Sequence, residues 1–121
     1  MDAEDLKKRT QLFGLRVINL VETLPNTRSS MVIGNQLLRS GTSVGSNYRS
    51  ACRGRSRPDF ISKLGIAIEE ADESLYWMEL IVEAGLIQDE RLSPLMAEAN
   101  EIIAILTALS ITAKANRGIT Q

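Results

Sequence analysis

Apolar residues recur along this chain at alternating steps of three and four, in four separate runs. The first is Leu6, Thr10, Phe13, Val17, Leu20 and Leu24, and the second is Leu37, Gly41, Val44, Tyr48 and Ala51. The third is Ile61, Leu64, Ile68, Ala71, Leu75, Met78 and Val82, and the fourth is Leu92, Leu95, Ala99, Ile102, Leu106, Leu109 and Ala113. That spacing places each run on one face of an α-helix. Helices are expected at about 4–24, 29–54, 57–84 and 90–115. With three short turns between them, these make an all-α, antiparallel, up-down-up-down four-helix bundle in a single domain over residues 1–121.

The ends of the runs carry the chemistry of helix termini. Asp2, Glu4 and Asp5 suit the N-terminal end of the first helix, and Pro25 and Asn26 stop it. Thr27 or Ser29 can cap the second, and Gly54 offers it a left-handed C-cap. Ser56, Pro58 and Asp59 open the third helix, and Gly85 closes it, with Leu86 and Ile87 folding back on its end. The fourth starts at Asp89 or at Ser93-Pro94. Both starts stand, because Pro94 is comfortable only in a first turn.

Two stretches depart from a plain bundle. Residues 39–47 are rich in Gly, Ser and Thr, and two glycines alone cost about 2 kcal/mol of helix propensity relative to Ala. The unbroken four-three spacing still predicts helix, with Gly41 and Gly45 one turn apart where another backbone can approach closely and hydroxyls bonding back to the preceding turn. A phosphate-cradling loop is the rival, but no Lys-Ser/Thr pair follows these glycines. In the third helix Ile66, Tyr76, Trp77 and Leu80 fall off the core stripe. Either they form an assembly face, or Trp77 lies over a neighbouring helix and widens the core.

Composition narrows the chemistry. The chain has 121 residues, 44% of them hydrophobic and 24% charged, with a net charge of −1. It begins with a charged segment and has no run that reads as a membrane span, so a cytoplasmic location is expected. There is no His, which excludes imidazole triads and Glu-x-x-His metal bundles. Cys52 is the lone cysteine and reads as a small buried or half-buried packing residue near the end of the second helix. Glu69, Glu70, Asp72 and Glu73 spread over several helix faces and read as a solvated surface. We therefore expect no catalytic residues, no cofactor and no metal.

Charge is segregated. Seven cations between Arg28 and Lys63 face only Asp59, whereas ten carboxylates between Leu64 and Glu101 face only Arg91. Arg49, Arg53, Arg55 and Arg57 converge at the turn between the second and third helices. They either pair with carboxylates of their own or a neighbouring subunit, or hold the phosphates of RNA or DNA.

The segments LLRSGTSVGSNYRSA and SRPDFISKLGIAIEEADESLYWMEL resemble the two central helices of the bacterial 23S rRNA intervening-sequence proteins. The matching positions include Gln36, Leu37, Arg39, Ser40, Ser43, Val44, Asn47, Asp59, Phe60, Ile61, Lys63, Leu64, Ile66, Ala67, Glu70, Tyr76 and Trp77. The resemblance covers nearly the whole chain. It implies a cytoplasmic bundle assembling as a ring of identical subunits, often five. It also implies a distant relation to the accessory proteins of diversity-generating retroelements, which bind nucleic acid and a reverse transcriptase. This chain is mildly acidic where those are basic. A homopentamer would use Ile66, Tyr76, Trp77 and Leu80 together with the small-residue surface at Gly41 and Gly45. Three functions follow: a scaffold ring, a nucleic-acid-binding ring using Arg49, Arg53, Arg55 and Arg57, or an adaptor recruiting a protein such as a reverse transcriptase.

Overall fold

A computed structural model describes residues 1–117, and within them the chain forms four helices and no strand. These are α1 (Ala3–Val21), α2 (Arg28–Cys52), α3 (Arg57–Glu83) and α4 (Asp89–Arg117). The caps explain most of the boundaries. Asp2 and Asp5 exchange side-chain to backbone bonds of 2.8 and 3.1 Å in a capping box at α1. Thr27 caps α2 and Ser56 caps α3, each accepting from the backbone N–H three residues on. At the far end of α3, Gly85 takes φ +70°, and the Leu86 N–H reaches the Ile81 carbonyl in a Schellman closure that tucks Ile87 into the core.

Two boundary expectations need correction, and of the two starts open for the fourth helix the earlier one holds. The first helix closes at Val21, not Leu24. Thr23 and Leu24 donate instead to the carbonyls three residues back, and the Thr23 hydroxyl takes the Leu20 carbonyl at 2.7 Å. Gly54 is not left-handed, since Gly85 is the one positive-φ residue described. The lack of a side chain at Gly54 serves another purpose: a Cβ there would stand 2.8 Å from Asp59 Oδ2, which accepts from the Arg55 backbone N–H. The fourth helix starts at Asp89, leaving exposed Pro94 in its second turn, where the Glu90 carbonyl loses its helical donor.

Residues 39–47 are helical throughout, inside an unbroken α2. Thr42 and Ser43 return their hydroxyls to the carbonyls of Leu38 and Arg39, both at 2.7 Å, and the Asn47 amide donates to the Ser43 carbonyl at 2.9 Å. The glycines seat this helix on α1. A Cβ on Gly45 would lie 3.3 Å from the Thr10 backbone, one on Gly14 3.6 Å from Thr42 Cα, and one on Gly41 2.8 Å from Val17 Cγ1. Gly34 in turn meets Leu24 and Val21. Ascending positions on α1 thus meet descending positions on α2.

The core draws on every helix: Phe13 and Val17 from α1, Leu37 and Val44 from α2, Leu64 and Met78 from α3, and Leu92, Ile102 and Leu106 from α4 are all fully buried. On α3 the buried edge runs through Ala67, Ser74 and Ile81, while Leu75 and Val82 are half-buried. Ser74 Oγ lies 3.0 Å from Ser40 Oγ on α2 and donates to the Glu70 carbonyl at 2.8 Å, so these two buried hydroxyls are satisfied.

α4 corrects a further expectation. Over Asp89–Asn116 it is long and apolar enough, by length and composition, to cross a membrane, although 28% of the apolar stretch is buried inside the protein. A core helix of a bundle passes the same test, and Leu92, Leu95, Ala99, Ile102 and Leu106 belong to the core. Its seam with α1 is narrow. There Arg9 grips Glu98 through two bonds of 2.7 Å and reaches Glu101 at 3.2 Å. The Arg9 bonds hold the Glu98 carboxyl below its ordinary value of 4.5.

Arg9→Gln should therefore lower stability by about 1.5 kcal/mol at pH 7, the scale of a charge-assisted hydrogen bond partly open to solvent. Because the folded-state value of Glu98 is depressed, its contribution is present above 4.5 and lost as pH falls through the folded value. The gap between wild type and variant should narrow as pH falls below 4.5, as urea titrations at pH 7 and at successively lower pH would read.

Candidate functional site

The four arginines at the α2–α3 turn do not form one cluster. Arg49 in the last turn of α2 and Arg53 at its C-cap line a groove of about 840 Å³ between α1 and α2. Arg57 instead lines a smaller depression with Phe60 on α3 and Leu109 and Ala113 near the end of α4. Arg55 borders neither and is exposed.

Their electrostatic state is that of Arg16, Arg28 and Arg91, which form no ion pair among the described residues, and differs from that of two other arginines. Arg9 is engaged by Glu98 and Glu101, and Arg39 by Glu70 and Glu73. Among the described residues, Arg49, Arg53, Arg55 and Arg57 form no ion pair with a carboxylate. Pairing within their own subunit is thereby overturned among the described residues. The acidic face of α3 is not uniformly solvated either. Glu70 and Glu73 are half-buried under Arg39, and Glu73 is held below the ordinary carboxylate range first by the Trp77 indole N–H at 3.1 Å and then by Arg39.

Sequence reasoning missed two cations. The opposed order of contacts between α1 and α2 carries Lys7 and Lys8 to the same groove as Arg49 and Arg53. The available signal was the short turn at 22–27, from which the positions facing one another can be counted outward.

The residues expected at an assembly surface also divide. Gly41 is buried and Gly45 half-buried, and the close approach they permit is made by α1 of the same chain. Gly41 is thereby closed to a second subunit, which corrects the expectation for that residue, while Gly45 stays half-buried on the groove between α1 and α2. Trp77 is half-buried and packs against the chain's own core, with its ring edge-on to Tyr76 at 5.0 Å. Tyr76 and Ile66 do face outward, 52% and 39% exposed, and Leu80 is half-buried beside them. Cys52 is half-buried at the end of α2, and burial pushes the neighbouring Tyr48 phenol up. Among the described residues no group of three or more His, Cys, Asp or Glu is placed to hold a metal ion.

Comparison with known proteins adds the following. The family model described as 23S rRNA-intervening sequence protein matches residues 4–108. A crystal structure of a protein with unknown function of the S23 ribosomal protein family, from Bacteroides thetaiotaomicron VPI-5482, superposes with a TM-score of 0.85 at 37% identity. The match covers 91% of this chain and 98% of that one. No curated protein matches the chain.

Proposed function

We propose that this chain, which belongs to the family of 23S rRNA-intervening sequence proteins, is a non-enzymatic, cytoplasmic nucleic-acid-binding module. In this reading its four antiparallel helices form one domain, and identical subunits close into a ring. The opposed contact order along α1 and α2 supports the antiparallel arrangement. The observation that carries nucleic-acid binding is the concentration of four unpaired arginines, Arg49, Arg53, Arg55 and Arg57, within nine residues whose one near carboxylate in sequence, Asp59, accepts from the backbone N–H of Arg55. Guanidinium groups left without an internal counter-charge are free to take phosphates in bidentate contacts, and a ring repeats them around its axis.

A second reading rests on a different surface. Ile66 and Tyr76 expose apolar area on α3 beside Leu80, which suits docking of a protein partner, including a reverse transcriptase of the kind the distant relatives accompany.

Salt dependence separates the two. Binding through phosphates weakens with salt with a log-log slope of about 0.7 to 0.9 per phosphate contacted. Replacing all four arginines by Gln should flatten that slope while the circular dichroism melt is unchanged. Loss of oligomer on the same substitution would assign the arginines to subunit contacts. Absence of wild-type binding to RNA or DNA at low salt would leave the adaptor or scaffold reading.

A further inference from the structure

The groove between α1 and α2 has a one-sided charge. Lys7 and Lys8 stand on its α1 rim and Arg49 and Arg53 on its α2 rim, with Glu4 as the one carboxylate along it. Among the described residues Lys8, Arg49 and Arg53 form no ion pair, and Lys7 is held by Glu4 alone, at 3.0 Å in an exposed i,i+3 pair. Such a pair contributes little and a phosphate can replace it. The floor is built for close approach, because Gly14 and Gly45 bring the two backbones together and leave no large side chain between the rims.

We infer that this groove is a track for the sugar-phosphate backbone of a nucleic acid, with Lys7 and Lys8 sharing its phosphates with Arg49 and Arg53. The inference rests on the nucleic-acid reading above and adds the site and the mode of recognition. No aromatic side chain lines the groove, so bases find no stacking platform there. Phosphate contacts fix position without reading sequence, and binding is sequence-independent. The aliphatic end of the groove, at Leu15 and Ile18, carries no donor that would distinguish one base from another.

The test uses the full chain, fluorescent oligo-uridine and oligo-adenosine of equal length as probes, and a salt titration of binding. Lys7→Gln/Lys8→Gln should lower the log-log slope by about 1.4, two single-strand phosphate contacts at about 0.7 each, with the two oligomers bound equally by wild type. Lys8→Gln alone, at an exposed position, should lower it by about 0.7 and guards against any folding defect of the double variant. Arg55→Gln/Arg57→Gln serves as the comparison outside the groove. An unchanged slope in both lysine variants, with a lowered one in the Arg55/Arg57 variant, would overturn the groove and leave the nucleic-acid reading intact. A strong preference for one homopolymer would overturn backbone recognition. A fall in molar mass with no change in slope would make the groove a subunit contact and overturn the inference as well. No wild-type binding to either oligomer at low salt would remove both readings together.

Discussion

Gly41→Val is expected to destabilise the protein by about 3 kcal/mol, whereas Gly65→Ala, on the next helix, should stabilise it by nearly 1 kcal/mol. Both replace a helical glycine, and both gain intrinsic helix propensity. Only the surroundings differ. A Cβ at Gly41 would stand 2.8 Å from both Val17 γ-carbons and 3.0 Å from its Cβ, and Val17 is fully buried. Val17 is β-branched and stiff at χ1, so it cannot swing aside, and the added methyls of a valine must push α1 away from α2. At Gly65 nothing lies within 4 Å of an added Cβ, and the helix gains what glycine withheld. Urea unfolding of the two variants reads both signs. Gly41→Ala combined with Val17→Ala should recover part of the loss, since one removes the atoms that the other collides with.

That contrast also shows what the sequence could and could not disclose. The unbroken spacing through residues 39–47 makes the helix legible despite its composition, because an apolar face buried against neighbours outweighs about 2 kcal/mol of propensity. Which helix would exploit the glycines was not legible. A small residue announces a close approach but not its partner, and α1 of the same chain took the place expected for a second subunit. The α3 stripe was off by one position at three places, where Ala67, Ser74 and Ile81 are buried in place of Ile68, Leu75 and Val82; Ser74 looks polar yet is satisfied by Ser40 and the Glu70 carbonyl. Likewise, four arginines close in sequence look like a cluster, but a helix end and a turn aim them apart. Arg49 and Arg53 join the α1 lysines, while Arg57 faces the end of α4.

Tyr76→Ala is expected to dissociate the ring proposed above while leaving the subunit folded. The ring needs a surface, and the outward residues on α3 are Tyr76 and Ile66 with Leu80 at their flank. An aromatic at the centre of an interface contributes about 2 kcal/mol or more on truncation to Ala, roughly a thirtyfold weaker contact. In a closed ring each subunit makes that contact twice, so the loss compounds. Trp77→Ala is a poorer probe than its size suggests. The Trp77 indole packs against its own core and donates to Glu73, so its removal should lower thermal stability and assembly together. Tyr76 is half exposed, with its ring against Trp77 and its hydroxyl in no described hydrogen bond, so its loss should leave the melting of a monomeric state nearly unchanged. Light scattering at micromolar concentration decides the matter. Wild type should scatter as an oligomer, five subunits by the family resemblance, and Tyr76→Ala as a monomer with an unaltered circular dichroism spectrum. A wild-type monomer at that concentration ends the ring proposal. An oligomer indifferent to Tyr76→Ala and Ile66→Ala would move the subunit contact away from α3, to the α1 surface where Leu12 and Leu15 are also more than half exposed.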